Sequence, residues 1–418
     1  SNTEEVKNDW RNIVAFVADD QNEGGNLFLE DSEDLALVIE KNYPWYNVDK
    51  IYSDAYTMLS TPGGGRYPEV NETINKRVEK GALMINYVGH GGELGWGHER
   101  ILEVADIKSW TNFDRMPIFV TATCEFSRFD DPERVSAGEW VLLNPKGGGP
   151  AMFTTSRLTY AGTNKSLLVN FYNQAFKKTN GQYLKLGDLL VASKRKMGSS
   201  PNIHSFVLLG DPAMQMAYPD LKIKTTSITS TNSSAVPDTL QALAEVTISG
   251  EIQSYDNQKV SDFNGTIFPT VFDKASENWT KANQKEGPPV QFFLRKNAVY
   301  KGKVAVTNGE FSFSFIVPKD ISFQVGDGKI SYYARSAETD ASGTDVVKVG
   351  GYNNAASPDN QGPELSLFIN SRSFRQGGIT HQNPVLIADV TDTSGINTVG
   401  NGIGHDITAI LDNKTTTP

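Results

Sequence analysis

The chain of 418 residues carries one cysteine, Cys124. A lone thiol cannot close an internal disulfide, so a stapled framework is excluded and Cys124 is free. Histidine is scarce as well, with five in the whole sequence. His90, His98 and Cys124 match no short zinc-ligand spacing, so no metal site is expected from them. Positive charge is in deficit: 39 Lys and Arg stand against 49 Asp and Glu, for a formal net charge of -10. Phosphate binding needs a basic face, and no Lys/Arg block supplies one, which excludes nucleic acid as the main partner. No apolar run approaches the ~20 residues of a membrane span, so no transmembrane segment is expected. No signal peptide is read at the N-terminus and no short-period repeat along the chain.

What remains is globular, at 38% hydrophobic and 21% charged residues. The length exceeds one ordinary core and predicts two to four domains. Up to residue 219 strands alternate with helices, the pattern of a parallel sheet covered on both faces. Strands are expected at Asn12–Ala18, Val48–Tyr52, Leu83–Val88, Pro117–Thr123, Ala151–Thr155 and His204–Leu209. Helices are expected at Asp31–Lys41 (with Asp31 or Ser32 as N-cap), Val70–Lys80, Glu103–Phe113, Ala137–Leu143, Ser166–Lys178 and Leu186–Met197. From residue 220 to 350 the texture is all-β, with Asn-Gly and Asp-Gly turns between short alternating runs at Ala244–Ile252, Gly265–Asp273, Phe292–Arg295, Gly309–Val317 and Ile330–Ser336. That spacing predicts an immunoglobulin-like sandwich. Residues 351–418 read as a Gly/Asn/Pro-rich linker and part of a further β domain.

The chemistry concentrates between Leu83 and Cys124. Two apolar runs, both read as strands buried on two faces, end in reactive side chains: His90 in LMINYVGHGG and Cys124 in MPIFVTATC. Parallel strands joined by a crossover leave the same sheet edge, where open α/β sheets place their sites. A thiolate with a neighbouring imidazole is the minimum for nucleophilic acyl transfer. In that reading Cys124 attacks, His90 moves the proton, and the backbone N–H groups of Gly91 and Cys124 form the oxyanion hole. One acid of Asp19-Asp20, at a third strand tip, orients His90. The acids Asp19, Asp20, Glu23, Glu30 and Asp31 also offer oxygen ligands for calcium, without an EF-hand pattern. A buried, inert Cys124 and a His90 that merely occupies a turn are the plain alternatives.

The runs NYVGHGGELGWG, MPIFVTATCEFSRFDDP and FVLLGDP resemble the catalytic domain of the gingipain family of cysteine peptidases, over residues 10–219. Within that family the likeness is nearer to the sortases of the type IX secretion system of Bacteroidota. The resemblance implies a caspase-like, three-layer α/β domain (residues 1–219) followed by immunoglobulin-like β structure. It implies His90 and Cys124 as catalytic residues and an acid at the first strand tip as the third, Asp20 in preference to Asp19. Thr155, Ser156, Arg157 and Tyr160 fall on one wall of the substrate pocket. Because SRLTYAG departs from the Arg-specific members, specificity for basic residues is not carried over. An α/β subdomain precedes the catalytic domain in the family, so a longer parent protein is expected. The resemblance further implies removal of C-terminal signals from secreted cargo and attachment of the cargo's new C-terminus to an anionic lipopolysaccharide, at the extracellular face of the outer membrane. Cargo proteins and secretion-system components would be the partners, and calcium the one cofactor in view.

Overall fold

The computed structural model describes residues 6–21, 25–179, 181–200, 202–230, 239–353, 362–382, 384–392, 409–411 and 415–417. Glu23, most of the expected linker and His405 lie outside the described residues. Chain contacts divide into two compact units. The first takes in residues 1–222 together with Ser276–Leu294 and Tyr333–Gly343. Among the described residues no helix is long and apolar enough to cross a membrane.

The first unit is built on a six-stranded sheet. Its strands are β1 (Ile13–Ala18), β2 (Asn47–Tyr52), β3 (Met84–Val88), β4 (Ile118–Ala122), β5 (Ala151–Thr155) and β6 (Phe206–Gly210). They lie in the order β6-β5-β4-β3-β1-β2. All neighbours are parallel except β5 and β6, which are antiparallel. Every residue of β3, β4 and β5 is buried, which explains why these strands read as unbroken apolar runs rather than alternating ones.

The sheet is covered by α1 (Leu27–Asn42), α2 (Pro68–Lys80), α3 (Val104–Ser109), α4 (Ala137–Leu143), α5 (Ala161–Ala175) and α6 (Leu186–Arg195). Side chains alternate across a strand. Val14, Phe16, Ala18, Met84, Val88 and Val120 pack with the apolar stripes of α1, α5 and α6. Ala15, Val17, Ile85, Tyr87 and Phe119 pack with those of α2, α3 and α4. The result is three layers with two cores. Each fully buried Val, Leu, Ile or Phe contributes roughly 1.5–3 kcal/mol of transfer free energy.

Several boundaries differ from the sequence reading. Helix α1 begins at Leu27, with Asn26 at the N-cap position, so Asp31 and Ser32 are interior residues of the helix. Asp31 is buried and paired with Lys165 of α5 at 2.9 Å, a tertiary contact that overrides its preference for a cap. The crossover helix α3 has only six residues. His204 belongs to a short helical turn, and the last strand runs antiparallel to β5.

The second unit is sheet-rich. Glu245–Gln253 pairs antiparallel with Glu310–Ile316, and Gly265–Phe272 pairs with Ala298–Lys301 and Val304–Val306. Glu245–Gln253 and Glu310–Ile316 alternate buried with more exposed residues, the pattern of strands covered on one face. Phe292 takes another path: Gln291–Leu294 pairs with Ser276–Trp279 inside the first unit. Glu364–Ile369 and Leu386–Thr391 form a two-stranded hairpin.

Candidate active site

The register of the sheet decides which side chains share an edge. Ala18, Val88 and Ala122 lie side by side across β1, β3 and β4. Asp20, His90 and Cys124 each stand two residues beyond that row. Neighbouring strands are ~4.8 Å apart, so three strand tips deliver two acids, an imidazole and a thiol to one rim. The chain order also reverses here, β2 lying on one side of β1 and β3 on the other. Open α/β sheets bind ligands at such a point.

The His90 and Cys124 segments are knitted together. Gly89 donates its N–H to the Ala122 carbonyl at 3.3 Å. Gly91 packs so closely that a Cβ there would stand 2.5 Å from Thr123 Oγ1, directly before Cys124. Beyond the histidine, Glu93 holds Arg128 at 3.0 Å and Arg134 at 3.2 Å, while its carbonyl accepts from Ala137 N–H at 2.7 Å. Gly91, Leu94, His98, Arg100, Glu125 and Arg134 line an open cleft of about 460 Å³ beside this junction.

Cys124 is partly exposed, and its Sγ points to the Thr159 carbonyl at 3.7 Å. The carbonyl just before it, Thr123 O, accepts from the hydroxyls of Thr155 and, at 3.3 Å, Thr159. Glu125, just after it, has φ 49°, a left-handed conformation fixed by its N–H donating to the Arg157 carbonyl at 3.3 Å. The thiol is therefore presented on a pinned, sharply turned backbone.

His90 is held mainly through its backbone. Its N–H donates to Asp19 Oδ2 at 2.8 Å. Its carbonyl accepts from the Tyr87 hydroxyl at 2.6 Å and from Gly97 N–H at 2.9 Å. The ring stacks on His98 at 4.7 Å and meets the edge of Phe28 at 5.0 Å. Tyr87 is itself fully buried and stacks on Trp96 at 4.4 Å.

The two acids differ in their contacts. Asp19 is the one bonded to the His90 segment, whereas Asp20 accepts from the Tyr67 hydroxyl at 2.9 Å and the Gln284 amide at 3.1 Å. Burial, reinforced by the charge of Asp20, pushes the Asp19 carboxyl up to about 8. Burial and the charge of Glu99 push Asp20 up to about 6. Tyr87 and Tyr67 are raised as well, first by burial and then by these carboxylates.

The expected pocket wall divides in two. Tyr160 is 74% exposed, on the outer side of this wall. Thr155 is fully buried with its hydroxyl on Thr123 O, so it positions the Cys124 segment instead. Ser156 is buried too, its N–H and hydroxyl both donating to the Ser205 carbonyl. The expected calcium set also divides. Asp19 and Asp20 stay together and are joined by Glu99, while Asp31 is turned to Lys165 and Glu30 is exposed.

The profile described as peptidase family C25 matches residues 1–217, just over half of the chain. The chain belongs to peptidase family C25, the gingipain family. Lys-gingipain of Porphyromonas gingivalis is 26% identical over 103 residues, which is 25% of this C25 chain and 6% of that protein. Lys-gingipain W83 of the same organism is 29% identical over 86 residues, 21% of this chain and 4% of that protein. The chain thus spans a small part of the length of the curated relatives it matches. Among solved structures, the complex of P. gingivalis RgpB pro- and mature domains aligns at TM-score 0.43 and 15% identity, over 84% of this chain and 70% of that one. Dimeric latent PorU from P. gingivalis aligns at TM-score 0.36 and 19% identity, over 96% and 49%.

Sequence reasoning missed Thr159, Phe28, Glu99 and Gln284. Thr159, Glu99 and Phe28 sit within ten residues of singled-out positions, yet none forms a motif. Gln284 reaches the site only through tertiary folding.

Proposed function

We propose that this chain is a cysteine peptidase domain in which Cys124 is the nucleophile and His90 the general base and acid. The Cys124 thiolate adds to a peptide carbonyl, the C–N bond breaks, and His90 delivers the proton to the departing amine. An amine or water then attacks the thioester and releases the Cys124 sulfur. Gly91 and Cys124 N–H groups are the proposed oxyanion donors. Asp19 acts as a positioning residue through the His90 backbone, with Asp20 behind it. The observation that carries this reading is the shared register row, with Gly91 packed on Thr123.

The finer reading is a type IX secretion sortase. It would remove C-terminal signals from cargo at the extracellular face of the outer membrane and pass the new terminus to a lipopolysaccharide amine. The sequence likeness around His90 and Cys124 supports it, and the sheet-rich second unit is proposed to be immunoglobulin-like. The test is cleavage of a cargo C-terminal peptide with and without an added primary amine, read by intact mass. A product heavier by the amine supports the sortase. A product carrying water alone, at every amine concentration, replaces it with an endopeptidase. No cleavage, with Cys124 no more reactive than in denatured protein, leaves a binding scaffold.

A further inference from the structure

We propose that residues 281–288 are a working part of the active site, with Gln284 and Asn283 as positioning residues for His90; the inference rests on the function proposed above. These residues join Ser276–Trp279 to Gln291–Leu294, two strands paired antiparallel within the first unit. In the sequence they stand well beyond residues 1–217, the part that the C25 profile matches. The stretches on either side, up to Ala275 and from Arg295, belong to the second unit. A hairpin closes with about two to five connecting residues. This connection runs from residue 280 to residue 290, and its surplus length reaches the loops at the tips of β1 and β2.

Beyond β2, Asp54 is 1% exposed, and its carboxylate accepts from Ala282 N–H at 2.9 Å, Asn283 N–H at 2.8 Å and the Asn283 amide at 2.9 Å. The same amide donates to the Tyr56 carbonyl at 2.9 Å. Beyond β1, Gln284 donates to Asp20 at 3.1 Å and reaches Glu99 at 3.4 Å. The buried Gln21 accepts from Glu286 N–H at 3.3 Å and donates to the Gly287 carbonyl at 3.0 Å. Asn26, at the head of α1, donates to the Pro288 carbonyl at 3.0 Å. Ala282 and Lys285 hold left-handed φ angles of 50° and 60°. That conformation crowds a Cβ and persists only where the surroundings fix it.

These bonds converge on the two supports of His90. Asp20 follows Asp19, whose carboxyl accepts His90 N–H at 2.8 Å. Asn26 stands two residues before Phe28, whose ring meets the His90 ring at 5.0 Å. Residues 281–288 thus hold the connection between β1 and α1 at both its ends. Releasing them would loosen Asp19 and Phe28 together, and His90 with them.

The experiment compares Gln284→Met and Asn283→Ala with Lys50→Ala in the full chain. Lys50→Ala loosens the first unit through Glu33 instead of through this segment, and so shows what lost stability does by itself. Cleavage kinetics of Gln284→Met and of Asn283→Ala should show kcat down about 3- to 10-fold with KM little changed, the effect of losing hydrogen bonds that hold His90 in the transition state. Gln284→Lys, which returns a donor to Asp20 and Glu99, should recover most of the rate. The His90 ring resonance, assigned by its disappearance in His90→Ala, should move in Gln284→Met and stay in place in Lys50→Ala. Circular dichroism checks folding, and one folded variant suffices. A His90 resonance unmoved in a folded variant overturns the inference, as does a fall in kcat no larger than that of Lys50→Ala. A parent that cleaves nothing removes the proposed function, and the His90 resonance then decides this inference alone.

Discussion

Replacing Gly89 by alanine should slow the site while sparing the fold. Gly89 has no left-handed φ, so the substitution acts through space alone. The added Cβ would meet the Tyr87 hydroxyl, Tyr87 Cζ at 2.7 Å and Asp19 Cβ at 2.5 Å. Those two side chains hold the carbonyl and the N–H of His90. Overpacking of this kind costs about 1–3 kcal/mol, and at about 2–4 °C per kcal/mol the melting midpoint should fall by about 2–12 °C. Pushing Asp19 off His90 N–H removes a hydrogen bond worth about 0.5–1.5 kcal/mol to a largely protonated carboxyl. With most of that felt in the transition state, kcat/KM falls about 2- to 10-fold. The matched control is Gly92→Ala, three residues on, where a Cβ meets nothing within 4 Å. Peptide cleavage and thermal melts of both variants decide the matter. Equal activity and equal midpoints in the two would refute the view that Asp19 and Tyr87 position His90.

Thr155→Val keeps its volume but deletes the bond to Thr123 O, so kcat should drop about 3- to 10-fold with KM little changed, measured by steady-state cleavage. Phe28→Ala frees one side of the His90 ring and should lower kcat more than it lowers stability, checked by kinetics beside thermal melts. Lys50 is buried and bonded to Glu33 at 2.9 Å, so Lys50→Ala should destabilise the first unit by about 2–4 kcal/mol in denaturant titration, because it strands the Glu33 charge. Asp19 and Asp20 bind protons more tightly in the folded chain than in the unfolded one. The stability they confer is full below about pH 3.8 and fades as pH rises through about 6 and about 8. Urea midpoints across that range should fall less in an Asp19→Asn protein.

The sheet and its reactive rim were legible because β3 and β4 are buried on both faces, which writes them into the sequence as apolar runs ending at His90 and Cys124. The start of α1 was not legible. Asp31 and Ser32 look like caps locally, and only the distant Lys165 makes an interior Asp31 tolerable. The direction of β6 was hidden too, since an antiparallel and a parallel strand carry the same apolar pattern. Thr155 was assigned to a pocket because its strand leads there, yet side-chain alternation turns its hydroxyl inward to Thr123. Glu99 and Gln284 reach Asp20 from far along the chain, and no local pattern marks such a meeting.

The most direct test of the shared rim is labelling by a peptidyl electrophile, with intact mass to count adducts. One adduct per chain, on Cys124, formed far faster than in denatured protein and slowed at least a hundredfold by His90→Ala, is the expected result. Labelling of Cys124 at the denatured rate, indifferent to His90, would contradict it.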